Sequence, residues 1–275
     1  MALTGLLKGG EFNIIQADLI LSTGEVVGLK ASIMNLTLFE NINQLSLTGS
    51  LVMQDAFNLA SFGPLIGQEY FKLKIATPSL TGEDNIMDYT DNSFMVTSLD
   101  DRTDMGNGVQ ASVLTFVSRE FVVNQRSRVR RTLSGTYSGI VEQILRNDLD
   151  CAKKFYNEPS VDSKKIIAPN ITPFSVIRMA TKNAVSKKYN DATYMFFENT
   201  RGFNFRTLGN MYSKLPTMTY EYTIPSTRTK DGVRDIIQEL STIESYKITG
   251  APDIIYNYTT GIYSSELIVH AIIPK

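Results

Sequence analysis

Side chains that could carry out catalysis are scarce in this sequence of 275 residues. It contains one histidine, His270, and one cysteine, Cys151. Ser-His-Asp and Cys-His arrangements both use a histidine as the base, and zinc sites usually combine several histidines or cysteines. His270 lies in an apolar segment near the last residue, so we interpret it as structural or exposed. We expect Cys151 to be an inert, partly buried side chain without an intrachain disulfide.

Acidic residues form two clusters that could bind calcium or supply paired carboxylates for hydrolysis. The clusters are Glu83-Asp84 with Asp88 and Asp91, and Asp100-Asp101 with Asp104. Neither has the ligand spacing of a calcium loop, and both lie among turn-forming residues. We interpret them as solvated loop acids, and Met105-Gly106-Asn107-Gly108 as a hairpin turn. We expect no enzyme activity, no cofactor and no metal ion.

The sharpest charge feature is an arginine-rich segment. It contains Arg126, Arg128, Arg130 and Arg131, and Arg119 precedes it closely. A guanidinium makes two-pronged contacts with carboxylate or phosphate, and arginine is enriched at protein interfaces. Three interpretations stay open: a solvated connector, an ion-pair site between subunits, and a phosphate or DNA contact. We name these four arginines as the candidate subunit interface.

The composition is that of a folded chain of one or two packed units. Hydrophobic residues make up 43% of the sequence and charged residues 20%, and the formal net charge is −1. This balance gives no electrostatic reason for non-specific nucleic-acid binding. The first twelve residues do not resemble a signal peptide, and the apolar runs are too short to cross a bilayer. We expect synthesis in the cytoplasm and two packed units.

Residues 1–120 are expected to form a small antiparallel barrel. Asn13–Leu21 and Val26–Leu38 flank a turn at Gly24, and Leu45–Met53 alternates apolar with polar side chains. Such alternation is typical of strands with one buried face. Further strands are predicted at 70–75, 94–98 and 109–117, with a polar turn at Asp100–Asp104.

The rest of the chain mixes helices with strands. Residues 121–192 are predicted as a helical connector, with helices at 140–149 and from Pro173, where Thr172 can cap the first turn. Residues 193–275 are predicted as a further domain. It would contain a hairpin at 194–206, a helix at 231–243 and strands at 245–249, 254–259 and 264–273. The fold class is therefore mixed α+β and β-rich, with small antiparallel barrels and a helical insertion.

Four segments resemble the baseplate central hub proteins of T-even-like contractile-tailed bacteriophages. They cover residues 45–55 (LSLTGSLVMQD), 116–120 (FVSRE), 172–177 (TPFSVI) and 195–205 (MFFENTRGFNF). In this order they extend over most of the chain from about Phe12 onwards. None is a catalytic signature, so the resemblance concerns architecture.

The resemblance implies a virion structural protein, assembled in the host cytoplasm, that forms a homotrimer. Two similar barrels in each of three subunits, the second in residues 193–275, would make a pseudo-six-fold ring that joins the tail tube to the central spike. The implied partners are a tube or tube-initiator protein, a trimeric spike protein and other baseplate proteins, and DNA would pass through the channel without specific binding. Hub chains of this kind usually continue past the point that matches Lys275, so we expect the second barrel to be incomplete in this sequence.

Two other function classes compete with this interpretation. A β-rich module that binds a receptor or a carbohydrate should show clustered exposed aromatic side chains, although the sequence has no tryptophan. A hydrolase that uses the loop carboxylates should hold one of them in an apolar cleft with a raised pKa.

Overall fold

A computed structural model describes residues 12–55, 67–77, 86–104, 110–161, 163–216, 219–222, 229–230, 233–234, 242–248, 250, 253–262 and 266. The chain divides into two compact units, residues 1–217 and 218–275. The described part is β-rich with few helices, which confirms the predicted mixed α+β class. No helix within these ranges is long and apolar enough to cross a membrane. The predicted division at residues 120 and 192 stays a prediction.

A seven-stranded antiparallel sheet comes first in the larger unit. Its neighbours follow the order β2-β1-β5-β6-β7-β4-β3. The strands are β1 (Asn13–Ile20), β2 (Val26–Gly28), β3 (Ile33–Phe39), β4 (Thr48–Asp55), β5 (Tyr70–Ala76), β6 (Ile86–Asp104) and β7 (Gln110–Ser118). The strands predicted over Leu45–Met53 and 109–117 are confirmed as β4 and β7, although β4 begins at Thr48 and not at Leu45.

The sheet curls into a half-barrel because its two edge strands, β2 and β3, follow each other in the chain with only residues 29–32 between them. The Leu29 amide donates to the Ala17 carbonyl in β1 at 2.7 Å, and the Gln54 amide of β4 donates to the Ser32 carbonyl at 2.8 Å. The single strand predicted over Val26–Leu38 is therefore wrong. The Leu29 side chain is buried in the core. Because the backbone turns to place it there, the strand is interrupted between β2 and β3.

The concave face of the sheet holds an apolar core with three phenylalanines at its centre. The Phe71 and Phe116 ring centroids lie 5.0 Å apart, and those of Phe94 and Phe116 lie 4.9 Å apart. Gly49 in β4 is required here, because a Cβ at this position would collide with the Phe116 ring and lie 2.8 Å from the Thr37 carbonyl oxygen. The alternation that predicted β4 thus has its physical cause in this core.

The polar turn predicted at Asp100–Asp104 is also wrong. These residues continue β6, where Asp100 is opposite Val113 and Asp104 is opposite Gln110 of β7. Backbone pairing along β7 outweighs the turn preference of the acidic side chains. The predicted Gly106–Gly108 turn lies outside the described residues.

A second core lies after the curled sheet, within the same unit. Its helices are α1 (Arg119–Arg126), α2 (Tyr137–Gln143), which continues as a π-helical turn (Ile144–Asp148), α3 (Pro173–Asn183) and α4 (Leu208–Tyr212). Its strands are β8 (Val129–Thr136), β9 (Phe155–Asn157), β10 (Ser163–Ile171), β11 (Tyr194–Asn199) and β12 (Gly202–Thr207). The predicted start of α3 is confirmed, because the Thr172 hydroxyl accepts from the Ser175 amide at 3.3 Å and Pro173 occupies the first turn.

Two small sheets build this second core. β8 pairs antiparallel with β10, and the predicted hairpin β11–β12 adds β9 in parallel with β12. Aromatic rings fill the space beneath the hairpin: the Tyr194 and Phe205 centroids lie 4.4 Å apart, and those of Phe196 and Phe203 lie 5.4 Å apart. The region predicted as a helical connector therefore also contains three strands, β8 to β10.

The smaller unit is described in short segments. β13 (Glu221–Tyr222) pairs with β16 (Thr242–Ile243), β14 (Thr229–Lys230) pairs with β15 (Val233–Arg234), and α5 spans Ile254–Thr259.

Three predictions fail in this unit. The helix predicted from residue 231 is wrong at Val233–Arg234, which pair as a strand. The strand predicted over 254–259 is wrong because the Asp253 carboxylate accepts from the Tyr256 amide at 2.9 Å and caps a helix. Residues 245–248 form no regular strand. The strand predicted over 264–273, with His270, lies outside the described residues except at Glu266.

Candidate functional site

The arginine-rich segment lies at the junction between α1 and β8, and all four of its arginines are exposed. Arg131 is already paired within the chain: its Nη1 and Nη2 donate to the two Asp148 oxygens at 2.7 and 2.6 Å. The hydrogen bonds to this carboxylate raise the pKa of Arg131 above its ordinary value. Arg131 is thus neutralised locally by Asp148, and it is the weakest of the four candidates for an interface role.

The other three arginines of the segment lack a carboxylate partner of this kind in the described part of the chain. Arg128 donates from Nη1 to the backbone carbonyls of Gln125 and Ser127, at 3.1 and 2.9 Å. Neither Arg126, Arg128 nor Arg130 forms an ion pair with a carboxylate of the described residues. We call Arg126, Arg128 and Arg130 the arginine row. Arg119, by contrast, donates to the Asp150 carboxylate at 2.9 Å and to its carbonyl at 3.0 Å.

A buried ion cluster lies between the curled sheet and the second core. Lys153 is 7% exposed, and both Glu120 and Glu198 are 2% exposed. The Lys153 ammonium donates to Glu120 Oε2 and to Glu198 Oε1, each at 2.7 Å. The other oxygen of Glu198 accepts from the Leu47 amide at 2.8 Å. Four segments that are distant in the sequence are thereby fixed to one another.

The loop that presents Lys153 is itself held in place. Arg146 of the π-helical turn donates from Nη1 to the carbonyls of Cys151 and Lys153, the latter at 2.9 Å. Lys153 also lies 5.6 Å from the centroid of the Phe203 ring. Two further contacts join the hairpin turn to the curled sheet: the Tyr89 hydroxyl donates to the Thr200 carbonyl at 3.2 Å, and the Thr200 amide donates to Glu40.

Two carboxylates share one ammonium in this cluster, and the pKa values reflect it. Burial acts to lower the pKa of Lys153, but the charges of Glu198 and Glu120 together outweigh burial, so its pKa is raised. Burial also raises the pKa of Glu198, more than the nearby Lys153 lowers it. A buried pair of this kind is strongly destabilising when one partner is removed. We interpret the cluster as a structural lock between the two cores.

The sequence contained one signal for this cluster. Tyr194, Phe196 and Glu198 alternate along β11, so Glu198 shares the buried face with two core aromatics. A carboxylate at such a position needs a buried cation. Nothing in the sequence identified the loop residue Lys153 as that cation.

The remaining chemical candidates are also placed by the structure. Cys151 is buried, and burial raises the pKa of its thiol to about 12, assisted by the charge of Glu120. The hydrogen bond from Lys74, with a further one from Thr90, lowers the pKa of Asp88 to about 2. This is the opposite of the raised pKa that a loop-carboxylate hydrolase needs. Glu83 and Asp84 lie outside the described residues, and among those described no group of three metal-ligating side chains could hold a metal ion.

Comparison with known proteins found similar solved structures but no matching sequence family. No protein-family model matches the sequence, and no curated relative is found. The chain is similar to a tail protein from Neisseria meningitidis MC58, with 10% identity and a TM-score of 0.48 over 78% of this chain and 56% of that one. It is similar to the 43 kDa tail protein of prophage MuSo2 from Shewanella oneidensis, with 10% identity and a TM-score of 0.45 over 78% and 59%.

A third similar structure is the E. coli c3393 protein, a component of the type VI secretion system with structural similarity to the T4 tail proteins gp27 and gp5. The identity is 12% and the TM-score 0.35, over 79% of this chain and 53% of that one. The chain therefore spans between about half and three fifths of the length of these three proteins.

Proposed function

We propose that the chain is a structural protein of a phage tail or a related type VI secretion apparatus. More specifically, we propose that it is the central hub of a contractile-tail baseplate. Three copies would form a ring with pseudo-six-fold character that joins the tail tube to the central spike. The four sequence segments that resemble hub proteins motivate this proposal, and the curled antiparallel sheet is compatible with a barrel-based ring.

The observation that carries the proposal is the arginine row. Three exposed guanidinium groups occur within five residues and have no carboxylate partner in the described part of the chain. Like charges this close repel one another, and solvent only partly screens them. Carboxylates of a neighbouring copy would relieve this repulsion and fix the angle between subunits.

The backbone beside the arginine row also favours a contact. In the described residues β8 pairs with β10 alone, so one edge of β8 has no ladder partner there. An open strand edge is a ready surface for another chain, although charged side chains can also protect such an edge. The same row would therefore discourage unspecific pairing and accept a partner that supplies carboxylates.

We also propose that the chain works without catalysis. The buried carboxylates Glu120 and Glu198 are engaged by Lys153. A third buried carboxylate, Glu158, accepts from the Thr207 amide at 2.8 Å and from the Ser186 and Thr207 hydroxyls. Groups held in this way support the fold and are not aimed at a substrate.

Mass photometry of the full chain tests the ring. Three copies of the 30.7 kDa chain give a particle of about 92 kDa. Arg128→Glu combined with Arg130→Glu should weaken the association at least tenfold, and more so at low salt, because salt screens the repulsion from the neighbour's carboxylates. The matched control combines Lys30→Glu with Arg178→Glu, two exposed cations outside the row, and should assemble normally. A monomer or a dimer at every concentration would contradict the ring, and equal effects of the two double variants would contradict the use of the row.

Exposed tyrosines in the smaller unit favour a second candidate, a module that binds a receptor or a carbohydrate. Tyr222 and Tyr246 are 60% and 67% exposed, and their ring centroids lie 5.4 Å apart at right angles. Exposed aromatic rings of this kind can stack on sugars. Binding of host-surface polysaccharide that is lost in Tyr222→Ala, together with a monomeric chain, would favour this candidate over the hub.

A further inference from the structure

A concave, positively charged surface lies on the second core, formed by β9, β12 and the segments after α3 and α4. We call it the basic concavity and define it by Tyr156, Lys188, Tyr189, Arg206 and Lys214. Its volume is about 420 Å³, which is room for a few side chains. None of these residues belongs to the arginine row or to the buried ion cluster.

Cations and aromatic rings alternate around this surface. The Arg206 guanidinium lies 4.7 Å from the centroid of the Tyr156 ring, and the Lys154 ammonium lies 5.2 Å from the same centroid. The Lys188 ammonium lies 4.9 Å from the centroid of Tyr189. Contacts between a cation and a ring hold the side chains in place, but they leave the positive charge uncompensated.

The cations of the concavity have no ion-pair partner in the described part of the chain, although the exposed Glu142 carboxylate lies beside the lining residue Asn157, whose Nδ2 donates to it at 3.5 Å. Lys188, Arg206 and Lys214 form no ion pair with a carboxylate there. The one carboxylate that lines the surface is Glu158, which is buried and already accepts from Ser186 and Thr207. Burial, followed by the positive charge of Arg206, lowers the pKa of Lys214. The surface therefore carries an excess of positive charge that an anionic partner would neutralise.

We propose that the basic concavity binds a carboxylate-rich peptide segment of a partner protein. A guanidinium and two ammonium groups around a short concave surface match several carboxylates spaced along a peptide. A nucleic acid fits less well, because it needs a continuous basic track and the whole chain has a net charge of −1. The binding site is independent of the ring, so it can exist whether or not the chain is a hub.

Fluorescence anisotropy with a labelled hexaglutamate peptide and the full chain tests this proposal. We expect saturable binding that weakens as salt increases. Lys188→Gln combined with Arg206→Gln should weaken binding about tenfold, since each exposed ion pair contributes modestly. Lys214→Gln alone should weaken it about threefold. The control Lys30→Gln combined with Arg178→Gln removes two exposed cations elsewhere and should leave the affinity unchanged.

Three results would overturn the proposal. The first is no binding of hexaglutamate up to millimolar concentration. The second is equal weakening by the concavity variant and the control, which would indicate unspecific attraction. The third is a six-nucleotide oligothymidylate that binds more tightly than hexaglutamate and loses affinity in the same variant, which would assign the surface to nucleic acid. Mass photometry of the same samples separates these results from failure of the ring, because Lys188→Gln with Arg206→Gln should leave assembly intact.

Discussion

Replacing Lys153 by methionine removes the single cation from the buried ion cluster and keeps a side chain of similar length. Two carboxylates that are each 2% exposed then lose their shared partner. Breaking a buried pair in this way costs about 3 to 5 kcal/mol, because a charge is left uncompensated in the interior. We expect the free energy of unfolding at pH 7 to fall by this amount.

The pH dependence of this loss identifies its cause. In the variant, Glu198 can escape the penalty by taking up a proton, and protonation becomes easier by about 1.4 kcal/mol for each pH unit of acidification. Burial already raises the pKa of Glu198 in the folded chain, and removing Lys153 raises it further, so the lost stability returns as the pH falls towards about 5. The deficit of Lys153→Met should therefore shrink by about 2 to 3 kcal/mol between pH 7 and pH 5.

Guanidinium denaturation followed by circular dichroism at the two pH values measures this deficit. Lys154→Met is the matched control, because Lys154 is the adjacent lysine, is exposed and lies over the Tyr156 ring without a carboxylate partner in the described residues. It should cost less than about 1 kcal/mol. Exchange of the Leu47 amide, which donates to Glu198, should accelerate in Lys153→Met alone. A deficit below about 1 kcal/mol, or one of equal size at pH 7 and pH 5, would refute the role of Lys153 as an ionic lock.

Three further predictions follow from the described contacts. Gly49→Ala should destabilise the chain by about 2 to 3 kcal/mol in thermal melts, because the added Cβ meets the Phe116 ring. The control Gly28→Ala should be tolerated, because its Cβ would lie 3.8 Å from Asp18 Oδ1. Equal melting temperatures of the two variants would contradict this prediction. Burial raises the pKa of the Cys151 thiol from 9.0 to about 12. At pH 8 the folded chain should therefore react with a disulfide reagent about a thousandfold more slowly than the chain unfolded in denaturant. Rapid labelling of the folded chain would show instead that the thiol is exposed. The purified chain should not clear a suspension of bacterial cell wall, and clearing that a single carboxylate substitution abolishes would contradict the proposed absence of catalysis.

Local patterns in the sequence were enough to predict the strands and helix starts that depend on them. The alternation in β4 and the Thr172-Pro173 pair each specify a buried face or a capped turn within a few residues. The break between β2 and β3 depends instead on Leu29 reaching the core of the curled sheet, which is a long-range contact. The Lys153 partner of Glu198 is 45 residues away in the sequence. Spacing alone cannot identify either contact, because both are decided by how the chain closes on itself.

In the arginine-rich segment, too, the sequence shows the local composition but not the long-range contacts. Its composition predicted four equivalent cations, but the structure pairs Arg131 with Asp148 and leaves only the arginine row without carboxylates in the described residues. Asp148 lies on the π-helical turn after α2, and its approach to β8 depends on the packing of the second core. The basic concavity was not predicted, because its cations come from three separate segments.

A cryo-electron microscopy reconstruction of the full chain, assembled with its own copies, tests the proposed hub function most directly. The account predicts a closed three-fold ring in which Arg126, Arg128 and Arg130 of each copy face carboxylates of the neighbouring copy. A two-fold particle or a monomer would contradict the ring. A three-fold ring in which these arginines point into solvent, away from every other copy, would contradict their role at the interface.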